Sequence, residues 1–150
     1  MTKIFVSGTA GFGTSKALTE LPESVKAFID QCVNENYQIL VGDCEGIDTL
    51  VQRYLNDINY NNICVYCSGK SCRNIVNANW NVAHVSVPNG VSGRAFFAVK
   101  DAAMAHDADF GFAIWDGKSK GTGINIANMK EQNKPVTIFR TDKNRFESAC

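Results

Sequence analysis

Two hydrophobic periods alternate along the chain. Short apolar runs of strand type occur at Lys3–Ser7, Gln38–Val41, Ile63–Cys67, Asp109–Trp115 and Pro135–Phe139. Between them, apolar residues recur at helical spacing: Leu21, Val25, Phe28, Ile29, Cys32 and Val33, then Ile47, Leu50, Val51, Tyr54 and Leu55. Such stripes bury one helix face. Further helices are expected over Arg94–His106 and Gly121–Glu131. From Ser68 to Ser92 the periodicity breaks into an Asn- and Ser-rich connection holding Trp80 and the short run Ala83–Val87, which could add a small strand. A connection of that length in a compact domain usually carries function.

Strands alternating with helices predict an α/β fold: a three-layer, Rossmann-like, doubly wound and mostly parallel sheet of five or more strands. The 150 residues suit one domain, with residues 140–150 expected as a frayed tail. Fifteen Lys and Arg balance fifteen Asp and Glu. That neutrality disfavours nucleic acid as a partner, because phosphate-backbone affinity needs concentrated positive charge. No apolar run reaches the ~18 residues of a membrane span, and Met1-Thr2-Lys3 leads into the first strand without a signal-peptide pattern, so a cytoplasmic protein is expected.

Six cysteines stand at 32, 44, 64, 67, 72 and 150. In a cytoplasmic chain with a full core the expectation is free thiols rather than a disulfide framework. Cys64, Cys67 and Cys72 with His84 could be read as zinc ligands, but finger-type paired spacing is absent. No metal and no cofactor are assigned.

In a doubly wound sheet, ligands bind beyond the carboxyl ends of the strands. Three loops there carry candidate chemistry. Ser7-Gly8-Thr9 opens a glycine-rich loop reaching Thr14, in which amides can approach an anion. It matches neither the dinucleotide nor the triphosphate glycine pattern. Gly42-Asp43-Cys44-Glu45-Gly46-Ile47-Asp48 places carboxylates where they could face ribose hydroxyls, or where Asp48 would simply complement a helix dipole. Asp116-Gly117-Lys118-Ser119-Lys120-Gly121-Thr122 combines glycines, lysines, hydroxyls and a helix start, the ingredients of a phosphate cradle. Arg94, Lys100, Lys70 and Arg73 add local positive charge. Arg94 and Lys100, six apart on one helix, should not both face the site.

Three of these pieces resemble the SLOG superfamily of Rossmann-like domains, which includes the DNA-processing protein DprA and the cytokinin-activating phosphoribohydrolases. They are Val6-Ser7-Gly8-Thr9, Gly42 through Leu50, and Lys100-Asp101-Ala102-Ala103-Met104 continuing to Thr122. Ala78-Asn79-Trp80 is similar to a segment of the stand-alone YspA-related branch. The resemblance spans residues 3 to 139. It implies a nucleotide-derived ligand over the strand ends, phosphate on Asp116–Thr122, ribose near Gly42–Asp48, and a homodimer or larger assembly. Asn125 stands where the phosphoribohydrolases carry a glutamate, and Lys100 where they carry an arginine.

Two readings follow. In the first, the domain binds a nucleotide or nucleotide-derived molecule such as AMP or ADP-ribose through Ser7, Gly8, Thr9, Gly42, Asp43, Gly46, Asp48, Arg94, Lys100, Asp116, Gly117, Lys118, Ser119, Gly121 and Thr122. In the second, it cleaves the N-glycosidic bond of nucleoside phosphates. Glu45, Asp48 or Asp116 would then supply the carboxylate such chemistry needs. A dehydrogenase domain fits the glycine spacing poorly, and a DNA-processing role has only kinship behind it.

Overall fold

The computed structural model describes residues 1–9 and 19–149. Its elements are β1 (Lys3–Gly8), α1 (Glu23–Asn34), β2 (Gln38–Gly42), α2 (Ile47–Asp57), β3 (Ile63–Ser68), β4 (Asn81–Val85), α3 (Gly93–Asp107), β5 (Phe110–Trp115), α4 (Lys120–Glu131), β6 (Val136–Arg140) and β7 (Arg145–Ala149). They form one seven-stranded sheet in the order β4-β3-β2-β1-β5-β6-β7. Every pair is parallel except β6–β7. This is the expected Rossmann-like α/β architecture. No helix among the described residues is long and apolar enough to cross a membrane.

Alternation within each strand sorts the core into two layers. Ile4 and Val6, Ile39 and Val41, Ile63 and Val65, and Phe112 and Ile114 face α1 and α2, meeting Val25, Ile29, Leu50, Val51 and Leu55. Phe5, Leu40, Tyr66 and Ala113 face the opposite way, against Met104 and Ala105 of α3 and Ile126 and Met129 of α4. The central strands are apolar on both faces, which is why they read as unbroken apolar runs.

Two edges differ from the sequence expectation. Residues 145–149 are not a frayed tail: β7 runs antiparallel to β6, and Phe146 packs at 5.1 Å from Phe139, ring centre to ring centre. At the other edge, the Ser68–Ser92 connection adds β4 in parallel register with β3. The turn before β4 is pinned from inside. Gln52 of α2, fully buried, donates through Nε2 to the carbonyls of Gly42 and Asn74 and accepts from the Val76 amide at 2.9 Å.

Chain order reverses between β1 and β5. The connections leaving these two strands go to opposite faces and open a crevice at their carboxyl ends. The close approach of α2 to β1 depends on Gly8, where a Cβ would fall inside the van der Waals envelope of the Ile47 side chain.

Candidate functional site

Above that switch point lies a cleft of about 570 Å³, walled by α3 on one side and the first turn of α4 on the other. Its floor is Phe5, Ser7 and Gly8 of β1 with Asn125 and Asp48. The buried Asn125 donates to the Ser7 hydroxyl at 2.9 Å, so the position that differs from the phosphoribohydrolase pattern holds the floor together.

Asp48 is buried at the start of α2 and accepts from the Cys44 amide at 3.1 Å. Burial pushes its carboxyl up to about 7, and the nearby charge of Lys100 only partly pulls it back. Gly42 makes room for this arrangement, since a Cβ there would stand 2.6 Å from Asp48 Oδ2 and 3.4 Å from Lys100 Nζ. Lys100 is itself buried and donates to Asp101 at 2.7 Å.

The α3 wall carries a second charged assembly. Asp43, just past β2, is 1% exposed. It accepts from the Arg73 backbone amide at 2.8 Å and from the Arg73 guanidinium at 2.8 Å. The guanidinium then lies over the Phe97 ring, 3.8 Å from its centre. A planar cation on an aromatic face is favourable and leaves a flat surface at the cleft wall. Arg94, one turn before Phe97, and Lys120, at the first position of α4, stand exposed at the rim. Neither has an ion-pair partner among the described residues.

Eight of the sequence-derived candidates line this cleft: Ser7, Gly8, Asp48, Arg94, Lys100, Ser119, Gly121 and Thr122. Arg94 and Lys100 therefore both border it, contrary to the expectation from helical angle. The cleft is wide enough to take Lys100 at its base and Arg94 at its rim. Thr9 instead clamps the framework, donating to Ile114 and accepting from the Asp116 amide at 3.3 Å. The rest of the glycine loop, including Gly11 and Gly13, lies outside the described residues. Glu45 is exposed away from the cleft, and Gly46 is the left-handed residue (φ 89°) that starts α2.

The Asp116–Thr122 turn departs most from its expected role. Asp116 accepts from the amides of Lys118 and Ser119 at 2.9 and 2.8 Å. Burial alone would raise its pKa, but these amide hydrogen bonds outweigh it and hold the carboxyl below its ordinary value. Two of the turn's donors, the Lys118 and Ser119 amides, are thus satisfied within it, and Asp116, Gly117 and Lys118 do not line the cleft. Of this segment, Ser119 and the start of α4 border the cleft, and that helix start is uncapped by any side chain.

Sequence reasoning missed Phe97 and the pairing of Arg73 with Asp43. The Arg94–Phe97 spacing of three residues was the available signal. It also missed a disulfide: Cys67, at the end of β3, is bonded to Cys72, with Cα atoms 5.2 Å apart. Cys32, Cys44 and Cys64 are free. Free thiols throughout were expected because a cytoplasmic chain with a full core does not need a disulfide framework.

No family model matches the chain, and no curated protein matches it. Among solved structures it is similar to DNA processing protein A from Helicobacter pylori, described for its single-stranded DNA binding mode. The two superpose with a TM-score of 0.62 at 14% identity, over 91% of this chain and 64% of that one. The chain thus spans less than two thirds of that structure's length, and the likeness shows a shared Rossmann-like fold. It overturns two expectations together with the geometry. The structural relative is described as binding single-stranded DNA, and the turn chosen as a phosphate cradle has committed its Lys118 and Ser119 amides to Asp116. A free nucleotide as ligand, with its N-glycosidic hydrolase alternative, is therefore set aside. So is the exclusion of nucleic acid. Net charge is a sum over the whole surface, whereas backbone affinity depends on charge at the contact.

Proposed function

We propose that this domain binds single-stranded nucleic acid across the carboxyl ends of its sheet. The observation that carries the proposal is the pairing, at one cleft, of unpartnered rim cations with an Arg73–Phe97 stack. Arg94, Lys120 and the uncapped start of α4 would hold successive phosphates. The exposed face of the Arg73 guanidinium offers a platform on which an unpaired base can stack. Duplex DNA has its bases already stacked and cannot use such a platform. The fold shared with a single-stranded DNA-binding protein supports the same reading. On the residues quoted above, the chain is read as a SLOG-type domain near the stand-alone YspA-related branch.

The test is fluorescence anisotropy with a labelled oligothymidine. Neutralising three phosphates gives a salt slope of about −2, so affinity should fall roughly 20-fold between about 50 and 200 mM salt. A matched duplex should bind more weakly. Absence of binding at low salt, or equal affinity for the duplex, would overturn the proposal.

A further inference from the structure

We infer that the Cys67–Cys72 disulfide is a redox latch that sets Arg73 in its place on the cleft wall. The inference rests on the nucleic-acid reading for its consequence, though not for its structural core. Cys72 immediately precedes Arg73, and Cys67 closes β3 beside Asp43. The Asp43 carboxylate and the two sulfur atoms lie within 4.8 Å of one another. Between the bridge and the strand, Lys70, Ser71 and Cys72 make no hydrogen bond among the described residues. Gly69, with φ +76°, is tied to Val85 at 2.8 Å, and the next polar tie along the chain is the Arg73 amide on Asp43. Beyond Arg73 the chain is tied again, Asn74 donating to the Asp43 carbonyl at 3.0 Å, so across residues 70–72 the disulfide is the one tie to β3 among the described residues. Arg73 uses both its backbone and its side chain on one carboxylate, an arrangement that needs residue 72 fixed.

The bond is also placed to be exchanged. Cys67 is fully buried, while Cys72 is partly exposed, so an incoming thiolate reaches the Cys72 sulfur first. Attack there forms a mixed disulfide on Cys72 and releases Cys67 as a thiolate, which takes up a proton. A second thiolate then attacks the small-molecule sulfur of that mixed disulfide and releases Cys72 as a thiolate, which also takes up a proton. Two small thiols become one small disulfide, and the protein is left with two thiols. A low-molecular-weight disulfide runs the same steps backward and closes the latch.

Opening the latch releases residues 70–72, and Arg73 loses its fixed position on Asp43 and Phe97. The experiment compares air-oxidised protein with protein held in dithiothreitol, reading two quantities. The first is hydrogen exchange at the Arg73 amide, which is expected to speed up at least tenfold on reduction. The second is oligothymidine affinity, expected to fall three- to tenfold. Cys72→Ser should match the reduced protein and ignore the reductant, while Cys64→Ser, on β3 and outside the cleft, should behave as the parent does. Unchanged exchange at Arg73 on reduction would overturn the latch whether or not DNA binds. Faster exchange with equal, measurable affinity in both states would overturn its control of the cleft. No affinity in either state would instead defeat the nucleic-acid reading, and with it the regulation proposed here.

Discussion

Reversing Arg94 and Lys120 together, Arg94→Glu with Lys120→Glu, is expected to weaken oligothymidine binding about 100-fold at low salt. Each side chain is assigned one phosphate, and losing a contact of that kind is worth roughly tenfold, or about 1.4 kcal/mol. The salt slope should flatten by about 1.4, the share of two phosphates on a single strand. Folding should be almost untouched, within about 0.5 kcal/mol, because both residues are exposed and neither has an ion-pair partner to strand. Lys118→Glu provides the contrast. Lys118 is exposed on the same turn but outside the cleft, so its reversal should cost much less. Equal losses from Lys118 and from the rim pair would mean that the effect is general surface charge rather than this cleft.

Asp48→Asn should make the protein more stable and a tighter binder above neutral pH. Burial has pushed the Asp48 carboxyl up to about 7, with Lys100 opposing. The ordinary carboxylate value of the unfolded chain is near 4. The folded state therefore holds the proton more tightly. The stability that goes with this is fully present below about pH 4 and is lost as the pH rises through about 7. An asparagine keeps an oxygen to accept from the Cys44 amide and carries no charge to bury. Lys100 is not stranded, since Asp101 remains its partner. Urea denaturation should show little difference near pH 4 and a gain of roughly 1–3 kcal/mol near pH 8. Oligothymidine affinity should rise several-fold near pH 8, where the wild-type carboxylate repels phosphate, and its change between about pH 6 and 8 should flatten. A variant less stable than the parent at pH 8 would show that the carboxylate is held by attraction rather than tolerated at a cost.

The layered core was legible because the central strands are buried on both faces. Ile4-Phe5-Val6 and Ile39-Leu40-Val41 leave no polar alternation to misread, and the stripes from Val25 to Val33 and from Ile47 to Leu55 are helical without ambiguity. The edges were harder for the converse reason. Arg145-Phe146-Glu147-Ser148-Ala149 holds a single large apolar side chain, and its strand character comes from pairing with β6. Asn81–Val85 is half exposed and depends on β3 in the same way. Within the site, Ser7, Gly8 and Asp48 could be placed because a parallel sheet dictates where its loops gather. The roles were less accessible. Asp116 looked like part of a cradle, since a sequence does not show a carboxylate folding back on the amides two and three residues ahead. Phe97 gave no signal of its own, because an aromatic beneath a guanidinium has the same letter as one beneath a leucine. Gln52 gave only the hint of one polar residue beside Val51 in a buried stripe, yet it anchors the Asn74–Val76 segment. The neutral charge count misled most, since paired charges such as Arg73–Asp43 and Lys100–Asp101 cancel in the sum while Arg94 and Lys120 stay free at the rim.

The central claim is that one cleft, between the start of α3 and the start of α4, receives a single strand. Titrating isotope-labelled protein with oligothymidine and following backbone amide resonances tests it residue by residue. Shifts should concentrate at Arg73, Arg94 through Ala98 and Lys120 through Thr122, and saturate together with one affinity. Shifts gathered instead along β4 or β7, or none at all at concentrations where anisotropy reports binding, would contradict it.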